Sequence, residues 1–312
     1  MNNKEKNFAS AVIYVHNAED RIVEFVNMIK RTLEDNFEHS EIICVNDASE
    51  DESVTLIKNN FTSSDRVNIA VVNMSYYHGL EMAMNAGTDF AIGDYVFEFD
   101  NTVLDFESSV IMQIYRHALS GIDIVSASPK RKDRLSSKVF YWIFNKYTNR
   151  SQRIGTESFR VLSRRVINRI SSMNKTVPYR KAVCLNSGLR MDNMAYYVTT
   201  GREVRFDKKE RKYRSTLAVD TLILFTEVGY RFSAIMTAVM MIVSVLMVVY
   251  SITIYLLAHP VEGWTTTVLF LSIAFFGLFG ILTIIIKYLQ LIIDLVFKRK
   301  HYSFESIEKL NS

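Results

Sequence analysis

ASAVIYVHNAEDRIVEFVNMIKRTLEDNFEHSEIICVNDASED, residues 9–51, holds two short apolar runs, Ala11–Val15 and Glu41–Val45. Between them Ile22, Phe25, Val26, Ile29 and Leu33 recur at helical spacing. The stretch reads as strand, helix, strand. The alternation continues outward, with Val67–Val72, Tyr95–Phe99 and Ile122–Val125 as strands and Val54–Asn60, Leu80–Phe90 and Val110–Leu119 as helical runs. Such an order predicts an α/β fold, a mostly parallel sheet with helices on both faces.

Ligands of such sheets bind beyond the carboxyl ends of the strands, and there the polar residues gather. His16-Asn17-Ala18-Glu19 follows the first strand, Asn46-Asp47-Ala48-Ser49-Glu50-Asp51 the second, and Asp100-Asn101-Thr102 the fourth, with Asp105 close behind. Three polar strand ends on one rim suit a base, a ribose and a metal-bound diphosphate. Mg2+ or Mn2+ is the expected cofactor, because hard cations take carboxylate, hydroxyl and phosphate oxygens. Asp47, Ser49 and Asp51 serve equally well as helix caps, and that reading stays open. No GxGxxG or GxxxxGK[ST] phosphate loop, HExxH pair or GxSxG elbow occurs.

Across the 312 residues, 49% hydrophobic and 22% charged side chains with a mean hydropathy of +0.07 exclude a disordered chain. The net charge of +4 gives no reason to expect nucleic acid. It hides a gradient: residues 1–128 carry 21 acidic and 8 basic side chains, residues 129–231 carry 8 and 24, and the remainder 4 and 5. Only Cys44 and Cys184 occur, so neither a disulfide framework nor a cysteine zinc site is expected. The opening MNNKEKNFAS has no apolar run of the kind a cleavable signal peptide needs.

Residues 232–261 and 263–286 are free of charged side chains, with Glu262 between them. Each is long enough to cross the roughly 30 Å hydrocarbon layer, which predicts a two-helix transmembrane hairpin at about 232–258 and 264–288. Arg231 before it, Lys298, Arg299 and Lys300 after it, and no Lys or Arg in the linker place both ends on the cytoplasmic side. The expected organisation is a cytoplasmic domain at 1–214, an amphipathic interfacial helix at 215–231, the hairpin at 232–290 and a cytoplasmic tail at 291–312. The expected location is integral and multi-pass in a bacterial inner membrane, with the active site cytoplasmic.

In order and spacing these residues resemble glycosyltransferase family 2 of the GT-A fold, and within it the membrane-anchored polyprenyl-phosphate glycosyltransferases, over nearly the whole chain. IYVHNAED is similar to that family's VVPVYNEE, VNDASEDES at 45–53 to VDDGSTDGT, and GDYVFEFDNTVLDFE at 93–107 to GDxVxxMDADLQDPP. Further on, ESFRVLSRRV at 157–166 is similar to GDFRLLSRRV, KERKY at 209–213 to GxSKY, and Gly263-Trp264-Thr265-Thr266 to GWTS.

The resemblance implies an inverting, metal-dependent transfer of a sugar from a nucleotide-diphosphate sugar to a polyprenyl phosphate. Asn17, Glu19, Asn46 and Asp47 would bind the nucleotide sugar, and Asp100 with Thr102 would hold the metal. Asp100, Asp105, Glu157 and Ser158 form the implied catalytic set, and Arg134, Arg160, Arg205 and Lys212 would meet the diphosphate or the acceptor phosphate. Four positions depart from the family. Thr102, Asn46 and Ser158 stand where it has Asp, and Lys209 where it has Gly. Membrane lipid is an implied partner, a homo-oligomer is compatible with the reading, and nucleic acid is not expected. Two alternatives remain open: transfer to a hydroxyl of a lipid-linked saccharide, and a catalytically inactive relative acting as a membrane scaffold.

Overall fold

The computed structural model describes residues 4–131, 135–147, 153–172, 179–199, 208–226 and 304–309, together with scattered positions between 232 and 292. The described strands are β1 (Ala9–Val15), β2 (Ser40–Asn46), β3 (Val67–Met74), β4 (Tyr95–Phe99), β5 (Ile124–Pro129), β6 (Phe159–Ser163), β7 (Met191–Tyr196) and β8 (Phe304–Lys309). The helices are α1 (Ile22–Asn36), α2 (Ser53–Asn60), α3 (Leu80–Phe90), α4 (Ser108–Leu119), α5 (Leu135–Tyr147), α6 (Arg164–Ser172), α7 (Arg180–Asn186) and α8 (Lys208–Phe225). The strands form one sheet in the order β7-β5-β6-β4-β1-β2-β3-β8.

β1 pairs in parallel with both β2 and β4, and β2 in parallel with β3. β6 runs antiparallel between β4 and β5, β7 lies parallel to β5, and β8 closes the far edge antiparallel to β3. The sheet is therefore mixed, with its parallel half at the N-terminal end of the chain. All seven residues of β1 are buried, as its unbroken apolar run requires of a strand covered on both faces. Ala9, Ala11, Ile13 and Val15 face the layer of α1 and α4, where Phe25, Ile29, Ile111 and Tyr115 meet them. Val12 and Tyr14 face the opposite layer, with Leu80, Ala83 and Met84 of α3 and Cys184 of α7.

The close seat of α3 depends on Gly87, where a Cβ would meet side-chain carbons of Val12 and Val45 at 2.5 Å. A third apolar cluster, Phe144, Ile154, Tyr179, Ala182 and Leu185 with Leu217 and Leu222 against it, ties α5, α7 and α8 together. α8 runs across residue 214, where the sequence suggests the end of the first domain.

The expected transmembrane hairpin has to be corrected. A spanning helix needs about 20 consecutive apolar residues to bridge about 30 Å, and among the described residues no helix is long and apolar enough to cross a membrane. Most of 232–258 and 264–288 lies outside the described residues. The positions that are described there, such as Ile235, Leu271 and Leu278, are helical without making up such a helix. The multi-pass membrane location, which rested on that hairpin, is corrected with it.

Candidate active site

β1 lies between β4 and β2, so the chain winds away from β1 in one direction first and then in the other. At such a reversal the loops following two neighbouring strands part and leave a crevice at their carboxyl ends. The loops after β1, β2 and β4 surround it, which brings Asn17, Glu19, Asn46, Asp47, Asp100 and Thr102 to one rim.

The loops after β1 and β2 are stapled together by their own polar atoms. Asn17 adopts the left-handed conformation (φ 45°), which asparagine tolerates better than most residues. Its Oδ1 accepts from the Glu50 backbone N–H at 2.9 Å, and its own N–H donates to Ser49 Oγ at 3.2 Å. Glu19 Oε2 accepts from the Glu52 N–H at 3.1 Å. Asn46 donates to Asn73 Oδ1 and accepts from the Ser49 N–H, both at 3.0 Å.

Asp47 is fully buried, and its carboxylate accepts from the N–H groups of His78 (2.7 Å) and Gly79 (2.8 Å) and from the Tyr14 hydroxyl (3.1 Å). Burial holds its carboxyl above the usual range, although the three hydrogen bonds and His16 oppose it. Asp47 thereby fixes the turn into α3. Tyr213 of α8 closes over the same turn: a Cβ on Gly79, whose φ is +83°, would run into the Tyr213 ring.

On the other side of the crevice β4 carries an acid into the sheet interior. Glu98 pairs across the β4–β6 ladder with Arg160, whose Nε lies 3.2 Å from Glu98 Oε2. Arg160 is buried and also bonds Asp100 at 3.0 and 3.3 Å and approaches Glu157 at 3.7 Å. α7 adds two more cations, Arg180 against Glu98 and Lys181 at 3.1 Å from Glu157. Buried charges persist only when paired in this way.

Burial pushes Asp100 up, but Arg160, Lys181, Arg180 and Arg214 outweigh it and hold the carboxyl below the usual range. Glu157 is held low against its burial by Lys181 and Arg160. A cavity of about 210 Å³ opens beside this cluster between β5, β7 and α7, with Ser126, Glu157, Arg160, Lys181 and Asn193 in its wall.

The expected divalent cation finds a poor donor set here. Asp100 has both carboxylate oxygens on the Arg160 guanidinium. Thr102 Oγ1, 2% exposed as a residue, accepts from Arg21 Nε at 2.9 Å, which puts a fixed positive charge against the second expected ligand. Asp105 is turned away, accepting from the Tyr196 hydroxyl at 2.7 Å with Arg131 at 3.5 Å. Among the described residues no group of three or more His, Cys, Asp or Glu side chains could hold a metal ion. The residues present do not fit the metal that the sequence pattern implies.

Ser158 joins the Asp105 pair through a 2.6 Å contact with the Tyr196 hydroxyl, making a chain Asp105, Tyr196, Ser158 apart from Asp100. Burial holds Asp105 above the usual range against Tyr196 and Arg131. Lys212 is exposed on α8, one residue before Tyr213. Arg134 and Arg205 lie outside the described residues. Sequence reasoning missed Arg21, Glu98, Arg180 and Lys181. Glu98 was legible, since an acid inside the apolar strand YVFEF demands a buried cation.

Comparison with known proteins identifies the family. The family described as Glycosyl transferase family 2 matches residues 10–170. An uncharacterized glycosyltransferase of Synechocystis is 29% identical over 63% of this chain, and the match spans 62% of that relative, less than two thirds of its length. The bactoprenol glucosyl transferase of Shigella phage SfV is 26% identical over 86% of this chain and 88% of its own. Among solved structures, glucosyl-3-phosphoglycerate synthase from Mycobacterium tuberculosis, crystallised with Mn2+, UDP and glucosyl-3-phosphoglycerate, is similar with a TM-score of 0.48 and 13% identity, covering 71% of this chain and 81% of that one.

Proposed function

The chain belongs to glycosyl transferase family 2, and from that premise we propose that it moves a sugar from a nucleotide-diphosphate sugar to the phosphate of a polyprenyl phosphate. The observation that carries the donor half is the crevice at the β1/β4 reversal, with polar loops from β1, β2 and β4 around it. The acceptor half is supported by the likeness to the phage bactoprenol glucosyl transferase over most of both chains.

In this reading the stapled loops of Asn17, Glu19, Asn46 and Asp47 form a preorganised seat for the nucleoside, and the segment 100–102 lies beside the diphosphate. An acceptor phosphate oxygen attacks the anomeric carbon from the face opposite the leaving group. The bond from that carbon to the diphosphate oxygen breaks, its electron pair leaves with the nucleoside diphosphate, and configuration inverts. The nucleophile is already an anion, so the reaction places little demand on a general base. Asp100 and Glu157 act as positioning residues, holding Arg160 and Lys181 as a rigid floor.

The test is product analysis after incubating the full chain with UDP-, GDP- and dTDP-sugars and a short polyprenyl phosphate in detergent. An acid-labile lipid phosphodiester of the sugar is the expected product. A glycosidic bond to a saccharide hydroxyl, with no phosphodiester, would overturn the acceptor assignment.

A further inference from the structure

Arg21 bonds the 100–102 segment, through Thr102, from outside the buried ionic cluster. It is the last residue before α1, where the positive end of the helix dipole adds to its charge. Its side chain, 27% exposed, makes three contacts: Nε to Thr102 Oγ1 at 2.9 Å, one terminal nitrogen to the carbonyl of Asn17 at 3.2 Å, and the other to Asp20 Oδ1 at 2.7 Å. The first two fix the guanidinium across the ends of β1 and β4. The third is to a carboxylate that is 72% exposed, a pair a stronger anion would displace at small cost. Arg160, by contrast, already has Glu98, Asp100 and Glu157 around it.

We propose that Arg21 is the counter-ion of the donor diphosphate and that this chain binds and cleaves its donor without a divalent cation. The inference rests on the nucleotide-sugar reading above. A guanidinium stays charged at all working pH values and presents a planar fork that matches two phosphate oxygens. It supplies what the leaving diphosphate needs, positive charge fixed before the bond breaks. The Thr at position 102 belongs to the same arrangement. A neutral hydroxyl receives Arg21 and leaves its charge for the ligand, whereas a carboxylate there would neutralise it.

The test is calorimetric binding of UDP, GDP and dTDP, and of their monophosphates, to the full chain in EDTA and in excess Mn2+ or Mg2+. The expected result is one nucleoside diphosphate that binds in EDTA at least 10-fold more tightly than its monophosphate and changes less than 3-fold with metal. Arg21→Ala should erase the preference for the diphosphate, and Arg21→Lys should retain part of it. Thr102→Asp should weaken binding in EDTA by trapping Arg21, and the double variant Arg21→Ala/Thr102→Asp should require metal. A wild-type affinity that rises more than 10-fold with Mn2+ and is unmoved by Arg21→Ala would overturn the proposal. Equal affinity for monophosphate and diphosphate would overturn it while leaving the nucleoside site standing. No nucleotide binding in either condition would overturn both readings.

Discussion

Arg160 holds three carboxylates at the centre of the molecule, and removing it isolates them. Glu98, Asp100 and Glu157 all lie within 3.7 Å of its guanidinium. Breaking one partner out of such a buried network costs roughly 3–5 kcal/mol, so Arg160→Leu should lose stability of that order in urea unfolding. Loss of less than about 1 kcal/mol would show that the cluster is solvated. Asp100 is held below the usual carboxylate range, so its stabilising contribution is present above the unfolded-state value of about 4 and is lost as pH falls through the depressed folded value. Asp100→Asn should therefore flatten the acid limb of stability against pH, which thermal unfolding across acidic buffers would show. Gly79 offers a second test at this scale. Gly79→Ala forces a Cβ into the Tyr213 ring at a φ of +83°, and should destabilise by about 1–3 kcal/mol while spreading α8 from the turn.

The elements differ in how far the sequence reveals them. β1 to β5 and α1 to α4 are legible because apolar strands alternate with helical periodicity and end in polar loops, and α3 falls at Leu80–Phe90 as its spacing predicts. β7 is not legible. MDNMAY is an edge strand with most residues partly or fully exposed, so it lacks a period-2 pattern. β6 contains Arg160, an ionisable group inside a buried strand, and its antiparallel insertion between β4 and β5 is set by pairing that local sequence does not encode.

β8 comes from the far end of the chain, and its contacts with the rest are long-range: Ser306 Oγ accepts from Asn73 at 2.9 Å, and Glu308 pairs with Lys58 at 2.6 Å. The Asn73 bond continues to Asn46, so β8 supports the loop after β2. Truncation before residue 304 should speed hydrogen exchange at Val71–Asn73 and weaken nucleotide binding several-fold through Asn46. Unchanged exchange there would mean that β8 adds nothing to the edge.

At the scale of the whole molecule, the polar rim was readable from strand ends, but the roles of its members were not. Asp100 and Thr102 look like metal ligands in sequence because a carboxylate and a hydroxyl after a β-strand suit hard cations and the family they resemble has its metal site there. In the fold Asp100 accepts from Arg160 and Thr102 from Arg21, residues distant in sequence from them. The charge gradient has a comparable explanation. Part of the basic excess in 129–231 folds back as Arg160, Arg180 and Lys181 onto acids of β4 and the loops around it, so it is structural rather than a surface for anions. The long apolar stretches suggest a membrane hairpin from composition alone, and no described helix is long and apolar enough to cross a membrane.

Transfer of a sugar from a nucleotide diphosphate to a polyprenyl phosphate leaves a product with a distinctive bond. The most direct measurement is mass-spectrometric product analysis of the purified full chain with a panel of nucleotide sugars and a short polyprenyl phosphate, run in parallel with EDTA and with Mn2+. One donor should yield an acid-labile sugar phosphodiester in both conditions. A nucleotide that binds without any lipid-phosphate sugar forming, across the whole donor panel, would contradict it.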